Sequence, residues 1–208
     1  KHARFRLSTE EAHAGYYAVT LEPYDIRVEL TATPHMGIQQ YTFQKASDSA
    51  CVILDLHRAM NWDQTTGSDI EQMSEIFLQG YRKSTGWARD QEVYFYTQLS
   101  RTPDSIFIEH RQGEPYGQAS GRSAIAYLYY KVKAGDQLII ETALSGTSTQ
   151  GAMGNWTDEE KEFDFDKYRT QAETLWQERL SRITIPENAP DSLKKTFYTA
   201  LYRAQVCP

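Results

Sequence analysis

This sequence has few cysteines, no long apolar run and no excess of basic charge. It has two cysteines in 208 residues, and neither is predicted to form a disulfide: Cys51 lies in an apolar run and is expected to be buried, and Cys207 is expected to be an incidental thiol. No apolar run approaches the length of about eighteen residues that a membrane-spanning helix needs. The amino-terminal residues lack the apolar core of a signal peptide. The net charge of −6 makes a nucleic-acid partner unexpected, because binding to phosphates requires a basic surface.

The short motifs of common catalytic and metal sites are also missing. The sequence contains no nucleophile elbow, P-loop, dinucleotide-binding glycine motif or calcium loop. Its five histidines do not have the spacing that metal ligands usually show within one element. The acidic clusters are typical of solvated loops and helix starts. We therefore predict neither a catalytic residue nor a metal ligand in this chain.

From residue 5 to about residue 144 the sequence predicts a series of strands. Short runs rich in β-branched and aromatic residues recur about every ten residues, with turn residues between them, which is typical of an antiparallel β-sandwich or barrel. A polar segment, 61–69, is predicted to be a turn. The predicted strands are 16–21, 26–33, 38–43, 51–56, 70–82, 93–98, 106–110, 124–131 and 137–143.

Residues 80–100 are the most aromatic part of the chain. A turn that contains Trp87 leads into a strand in which two types of side chain alternate, so one face is expected to join the core. Tyr94 and Tyr96 would lie on the other face and would expose large rings there. We therefore expect a second layer to cover that face as well.

The hydrophobic pattern becomes helical in the last third of the chain. Residues 146–154 are predicted to be a loop of small residues. A first helix is predicted from Asp164 and a second from about Pro190, each with an apolar stripe. The predicted organisation is a sandwich domain at 1–150, a loop and helical linker at 151–188, and the first helix of a truncated helical domain at 189–208. Alternatively, both helices simply cover the sandwich.

Three tryptophans lie in segments predicted to be loops, beside amide and carboxylate residues. An aromatic ring in that setting can support the apolar face of a sugar while its neighbours bind the hydroxyl groups. Loop tryptophans can equally fill contacts between domains. The candidates are Trp62, Trp87 and Trp156, and the first two are the ones we select as substrate-facing.

Four segments, in this order, resemble the exo-α-mannosidases of glycoside hydrolase family 92. They are EAHAGYYAV at 11–19, VELTAT at 28–33, GYRKSTGWA at 80–88 running into VYF at 93–95, and FYTALY at 197–202. Three positions depart from the family's common residues: Ala14 replaces a proline, His35 replaces an arginine, and Arg203 replaces a histidine. These departures concern the expected rim of the active site and hence the linkage preference.

The resemblance implies a mainly β, supersandwich-like amino-terminal domain joined by a helical linker to an (α/α)6 barrel. It also implies a calcium-dependent, inverting enzyme that releases terminal mannose from glycans, outside the cell or in the periplasm. In the family the acid, the base and the calcium ligands belong to the barrel, so they are expected after Pro208 and this chain alone is expected to be inactive. The alternative is a carbohydrate-binding or domain-docking module without hydrolase activity.

Overall fold

The computed structural model describes residues 3–57, 62–109, 118–121, 124–160 and 162–206, and gives only the backbone of 118–121. The helices are α1 (Thr149–Glu159), α2 (Phe165–Leu180) and α3 (Asp191–Val206). The strands are β1 (Arg4–His13), β2 (Tyr16–Glu22), β3 (Ile26–Ala32), β4 (Met36–Phe43), β5 (Ser47–Asp55), β6 (Gln64–Gln72), β7 (Phe77–Thr85), β8 (Gln91–Leu99), β9 (Ser105–Glu109), β10 (Gln118–Gly121), β11 (Ile125–Val132) and β12 (Gln137–Ser145).

The described strands form two antiparallel sheets packed face to face. The large sheet has nine strands in the order β1-β2-β3-β4-β12-β8-β7-β6-β10, and the small sheet has three in the order β5-β11-β9. The main core lies between them. It consists of Phe43, Leu78, Leu99, Leu128, Tyr130, Val132, Leu138 and Ile140. The predicted antiparallel sandwich is confirmed.

Helices α1 and α2 form a third layer on the opposite face of the large sheet. Phe165 and Tyr168 of α2 are buried against strand residues of β2, β4 and β12. Helix α3 contacts α2 through the rings of Trp176 and Tyr202, whose centroids are 4.7 Å apart, and none of its described side chains is buried. One of the two predicted helices therefore covers the sandwich, while the other leaves its apolar face exposed.

Strand β8 has covered side chains on both faces, as its aromatic pattern predicts. Phe95 and Leu99 point into the cores between the sheets. On the other face, the ring of Tyr96 lies 5.6 Å from that of Trp156 in α1, and Phe77 of β7 lies 5.5 Å from the same indole. The second layer expected over this strand is helix α1.

A buried carboxylate joins the large sheet to both helices. Glu141 of β12 is fully buried and accepts hydrogen bonds from the Tyr168 hydroxyl at 2.7 Å and from the Trp156 indole at 3.3 Å. Burial raises the pKa of Glu141, the negative charge of Glu160 raises it further, and the hydrogen bonds from Tyr168 and Trp156 oppose the shift. The side-chain hydrogen bonds that stabilise this carboxylate thus come from both helices.

The turn between β1 and β2 touches the backbone of α2. Gly15 has φ +89°, and a Cβ there would lie 2.9 Å from the Glu173 backbone nitrogen and 3.0 Å from the Ala172 carbonyl carbon. Only glycine adopts this conformation readily and leaves room for the helix. Beside it, the Arg169 guanidinium stands 3.9 Å from the centroid of the Tyr16 ring, a cation–π contact that holds the same helix.

Two of the predicted strand boundaries are wrong. The segment predicted as a turn at 61–69 contains most of β6 (Gln64–Gln72). In this strand Ser68 and Ile70 face inward, and strands β7 and β10 pair with it on its two sides. The run predicted as one strand at 70–82 is a hairpin. Its turn is stabilised by the Ser74 hydroxyl, which accepts from the backbone N–H groups of Ile76 and Phe77.

The loop predicted at 146–154 is also wrong, because α1 begins at Thr149. Ser148 caps the helix by accepting from the Gly151 N–H at 3.0 Å, and Ala152 is buried beneath it. Packing and the cap overcome the low helix propensity of the glycines. Trp156 therefore lies in a helix, where it packs on the sheet, and not in a loop.

Cys51 is exposed, contrary to its predicted burial. It lies on the outer face of β5, because successive side chains of this strand point alternately toward the core and away from it. Cys207 lies outside the described residues. No described helix has both the length and the apolar character needed to cross a bilayer.

We expect Tyr168→Phe to lower the free energy of unfolding by about 2 kcal/mol at pH 7, because the buried Glu141 carboxylate loses a hydrogen-bond donor. Since the pKa of Glu141 is already raised, the carboxyl becomes protonated as pH falls, and the destabilisation should shrink toward pH 4. Denaturant unfolding at both pH values measures this. Tyr17→Phe is the matched control, because it removes a Tyr–Glu bond on the surface. An equal loss in the two variants would contradict the special role of Glu141.

Candidate substrate-facing surface

The two tryptophans selected from the sequence lie at the same end of the large sheet. Trp87 is in the turn between β7 and β8 and is 95% exposed, and Trp62 precedes β6 and is 63% exposed. Gln64 at the start of β6 is paired with Thr85 at the end of β7. The structure therefore brings the segments of both residues to one edge of the sandwich. Their contact with a sugar stays a prediction.

The base of the Trp87 turn is fixed by Asp63. Its carboxylate accepts from the Arg82 guanidinium at 3.1 Å, in a pair that is mostly buried. A Cβ at Gly86 would lie 2.7 Å from the Asp63 carboxylate oxygen, so the glycine allows the two segments to touch. The turn is thus anchored while the indole at its tip faces solvent.

A second set of side chains extends from this turn along the helix-covered face of the large sheet. The rings of Tyr81 and Tyr94 are 6.0 Å apart, and the Tyr94 hydroxyl donates to Glu92 at 2.6 Å. Hydrogen bonds from Lys83 and then from Tyr94 lower the pKa of Glu92. The resulting strip combines aromatic faces with hydrogen-bonding groups, which is the composition that favours a sugar ligand.

A cavity of about 660 Å³ opens at the same end of the sheet, where β12 stops. The last residue of β12, Ser145, is paired with Tyr94 of β8, so β8 continues past it toward the Trp87 turn. The gap lies between Val93 of β8 and the turn at 33–35 that joins β3 to β4. Its walls are mostly apolar, with Ser145 and Asn155 among the polar residues that line it.

One wall of this cavity is held by Glu159, at the end of α1. Its carboxylate accepts from the Thr33 hydroxyl, from the His35 backbone N–H at 3.1 Å, and lies 2.6 Å from the His35 ring Nδ1. Burial raises the pKa of Glu159, but the hydrogen bonds from Thr33 and His35 together outweigh it, and the net pKa is lowered. Glu159 therefore binds the β3–β4 turn to α1 as an ionised group.

His35, one of the departures from the family pattern, thus has a structural partner. The sequence alone could not reveal it, because Glu159 lies 124 residues further along the chain. The only local signal is that both residues are polar. Trp156, the third tryptophan considered, is no part of this surface, since it packs between α1 and the sheet.

The carboxylates of Glu141 and Glu159 do not form an acid–base pair. Both oxygens of Glu141 are engaged inside the protein, and Glu159 is occupied by the β3–β4 turn. Nor do the described residues contain a group of three or more His, Cys, Asp or Glu side chains that could hold a metal ion.

Two family models match the chain. Residues 1–145 match "Glycosyl hydrolase family 92 N-terminal domain" and residues 151–208 match "Glycosyl hydrolase family 92 catalytic domain". Among curated proteins, an uncharacterized secreted glycosidase of Arthroderma benhamiae is 23% identical over 95% of this chain and 28% of its own length.

Solved structures give the same result. A family GH92 α-mannosidase from Bacteroides thetaiotaomicron superposes with a TM-score of 0.89 at 26% identity, over 97% of this chain and 28% of that one. A family GH92 inverting mannosidase from the same bacterium gives a TM-score of 0.82 at 24% identity, over 97% and 27%. The chain thus spans little more than a quarter of the relatives that it matches.

We expect Glu159→Gln to lower the free energy of unfolding by about 1 kcal/mol at neutral pH, because a neutral amide is a poorer acceptor for Thr33 and His35. Since the pKa of Glu159 is lowered in the folded state, its contribution is present above the pKa of about 4.5 for an unperturbed glutamate and is lost as pH falls through the folded value. Unfolding titrations between about pH 3 and pH 7 measure this.

Glu92→Gln is the control, because Glu92 also has a lowered pKa but lies on the surface, where solvent screens its charge. It should have the smaller effect. If Glu159→Gln were no more destabilising than Glu92→Gln at any pH, the hydrogen bonds of Glu159 to the β3–β4 turn would contribute nothing to the free energy of unfolding.

Proposed function

Because the chain belongs to glycosyl hydrolase family 92, we propose that it is the sandwich portion, with linker, of an exo-α-mannosidase that removes terminal α-linked mannose from glycans. The superposition on a family GH92 α-mannosidase, with a TM-score of 0.89 over 97% of the chain, is the observation that carries the proposal. That relative has also been solved in complex with mannoimidazole. A mannose-configured ligand is therefore the first to test on this protein.

The chemistry of the proposed reaction belongs to residues beyond this chain. Inversion requires one carboxylic acid to protonate the leaving oxygen and one carboxylate to activate water on the other side of the sugar. The buried carboxylate of Glu141 and the partly buried carboxylate of Glu159 serve the fold instead, since each is engaged by neighbouring side chains. We assign the acid, the base and calcium to a helical catalytic domain after Pro208, with which α3 would pack.

In this proposal the sandwich supplies part of the substrate-facing rim. The Trp87 turn, the Tyr81–Tyr94 strip and the cavity at the end of β12 lie at one end of the large sheet. A site of action outside the cytoplasm, extracellular or periplasmic, is supported by the relative from Arthroderma benhamiae, which is described as secreted.

A second candidate function is a carbohydrate-binding or docking module that needs no catalytic domain. The observation that favours it is the 95% exposure of Trp87, since an exposed indole offers an apolar face on which a sugar ring can stack. Calorimetry of the 208-residue chain against mannose and mannobiose separates the two ideas. A binding module should retain measurable affinity by itself.

We expect the 208-residue chain alone to release no mannose from an aryl α-mannoside, with or without added calcium, because the proposal assigns the acid and the base to the helical catalytic domain. The same sequence extended by its helical domain should hydrolyse the substrate. Released mannose is measured by a coupled assay. Turnover by the short chain, at a rate that follows protein concentration, would contradict the assignment of catalysis to the helical domain.

We expect Trp87→Ala in the extended enzyme to lower kcat/KM by about tenfold or more, because an aromatic ring at the centre of a ligand contact carries much of the binding energy. The melting temperature should hardly change, since the side chain makes few contacts in the sandwich. Trp62→Ala serves as the comparison. A fall in melting temperature with unchanged KM would instead show that Trp87 packs against the neighbouring domain.

A further inference from the structure

The outer face of the small sheet carries a row of exposed aromatic and aliphatic side chains. Tyr127 of β11 is paired with Ile53 of β5 on one side and with Phe107 of β9 on the other. Since alternate residues of a strand point to opposite faces, all three project away from the core. Ile53 is 51% exposed and Phe107 is 54% exposed. We call this row, with Tyr129 beside it, the outer-sheet platform.

Hydrogen-bonding groups border the platform. Ile125 in the next row is flanked by Asp55 and Glu109, and the Tyr127 hydroxyl donates to the Glu109 carboxylate at 3.3 Å. The rings of Phe107 and Tyr127 are 6.0 Å apart and inclined by 36°. Partial burial and then the Glu109 charge raise the pKa of Tyr127, so its hydroxyl keeps its proton at neutral pH and remains a donor.

We propose that the outer-sheet platform is a second carbohydrate-binding surface, which holds a neutral glycan chain at a place separate from the Trp87 end of the molecule. Adjacent rings on neighbouring strands offer apolar faces to the C–H face of a sugar, and the flanking carboxylates accept hydrogen bonds from its hydroxyl groups. The two carboxylates make an anionic ligand unfavourable. The choice of a mannose polymer as ligand rests on the proposed function, but the surface itself does not.

The size of the platform argues against a second copy of the chain as its occupant. Three strands spaced about 4.8 Å apart, the shortest of them about 17 Å long, give a face of only a few hundred Å². A stable dimer buries about 800 Å² on each partner. Moreover, a face-to-face dimer would bring two pairs of carboxylates into a dry interface, which is costly. A flexible polar chain with one apolar face meets neither difficulty.

Its location also separates the platform from helices α1 and α2. Helices α1 and α2 pack on the far face of the large sheet, so the whole sandwich lies between them and the outer-sheet platform. A glycan held there would not compete with the segment that matches the catalytic-domain model. The platform could therefore keep a polymer attached while another of its ends is cut, which raises the effective substrate concentration.

The test is retardation of the 208-residue chain in native gels that contain soluble α-mannan. We expect the wild-type chain to be retarded and Phe107→Ala to reduce its apparent affinity by about tenfold. Phe107→Tyr should restore binding, because it keeps the ring. Phe5→Ala is the matched control: Phe5 is also an exposed phenylalanine in a strand, 50% exposed, but lies at the edge of the large sheet, and its removal should leave the retardation unchanged.

Three outcomes would overturn the proposal. One is a wild-type chain that mannan does not retard. Another is loss of retardation in Trp87→Ala but not in Phe107→Ala, which would place all binding at the other end and leave the proposed function untouched. The third is a dimer in sedimentation experiments that Phe107→Ala dissociates, which would make the platform a contact between copies. Far-ultraviolet circular dichroism of each variant verifies that the sandwich is folded.

Discussion

The arrangement of layers depends on the hydrogen bonds to one buried carboxylate. Glu141 lies in the central strand β12, while its donors Trp156 and Tyr168 lie in α1 and α2. The acceptor thus belongs to the segment that matches the amino-terminal domain of the family, and both donors belong to the segment that matches the catalytic domain. A buried charge without partners would cost several kcal/mol. The linker helices are therefore held at one position on the sheet, instead of sliding over an apolar surface.

The sequence predicts the sandwich well where its strands alternate and poorly where tertiary contacts decide. The aromatic strand β8 is predicted with both faces covered, because its own pattern reports burial on each side. Segment 61–69 reads as a turn because most of its residues are small and polar, and only the two partner strands of β6 show that 64–69 belong to a strand. Helix α1 is missed for a similar reason. The Ser148 cap is a local signal, but α1 also depends on Trp156 packing on distant strands, which neither local propensity nor periodicity reports.

The candidate site was accessible to sequence reasoning only in part. Trp62 and Trp87 stand out because polar residues and glycine surround them, and such neighbours are typical of exposed turns. The hydrogen bonds between Glu159 and the two residues Thr33 and His35 join positions more than a hundred residues apart, so no local pattern could predict them. The same holds for the outer-sheet platform, whose row of side chains exists only through the register of β5, β11 and β9.

The glycine in the β1–β2 turn decides how closely the helical layer approaches the sandwich. At Gly15 the backbones of the turn and of α2 are in close contact. This contact limits how closely the helix can approach, and rotation of a side chain cannot relieve it. The distance between the turn and α2 thus depends on the absence of a side chain at Gly15. A chimera that joins this sandwich to a different helical domain would have to keep the Gly15 turn, while much of the exposed surface could be exchanged.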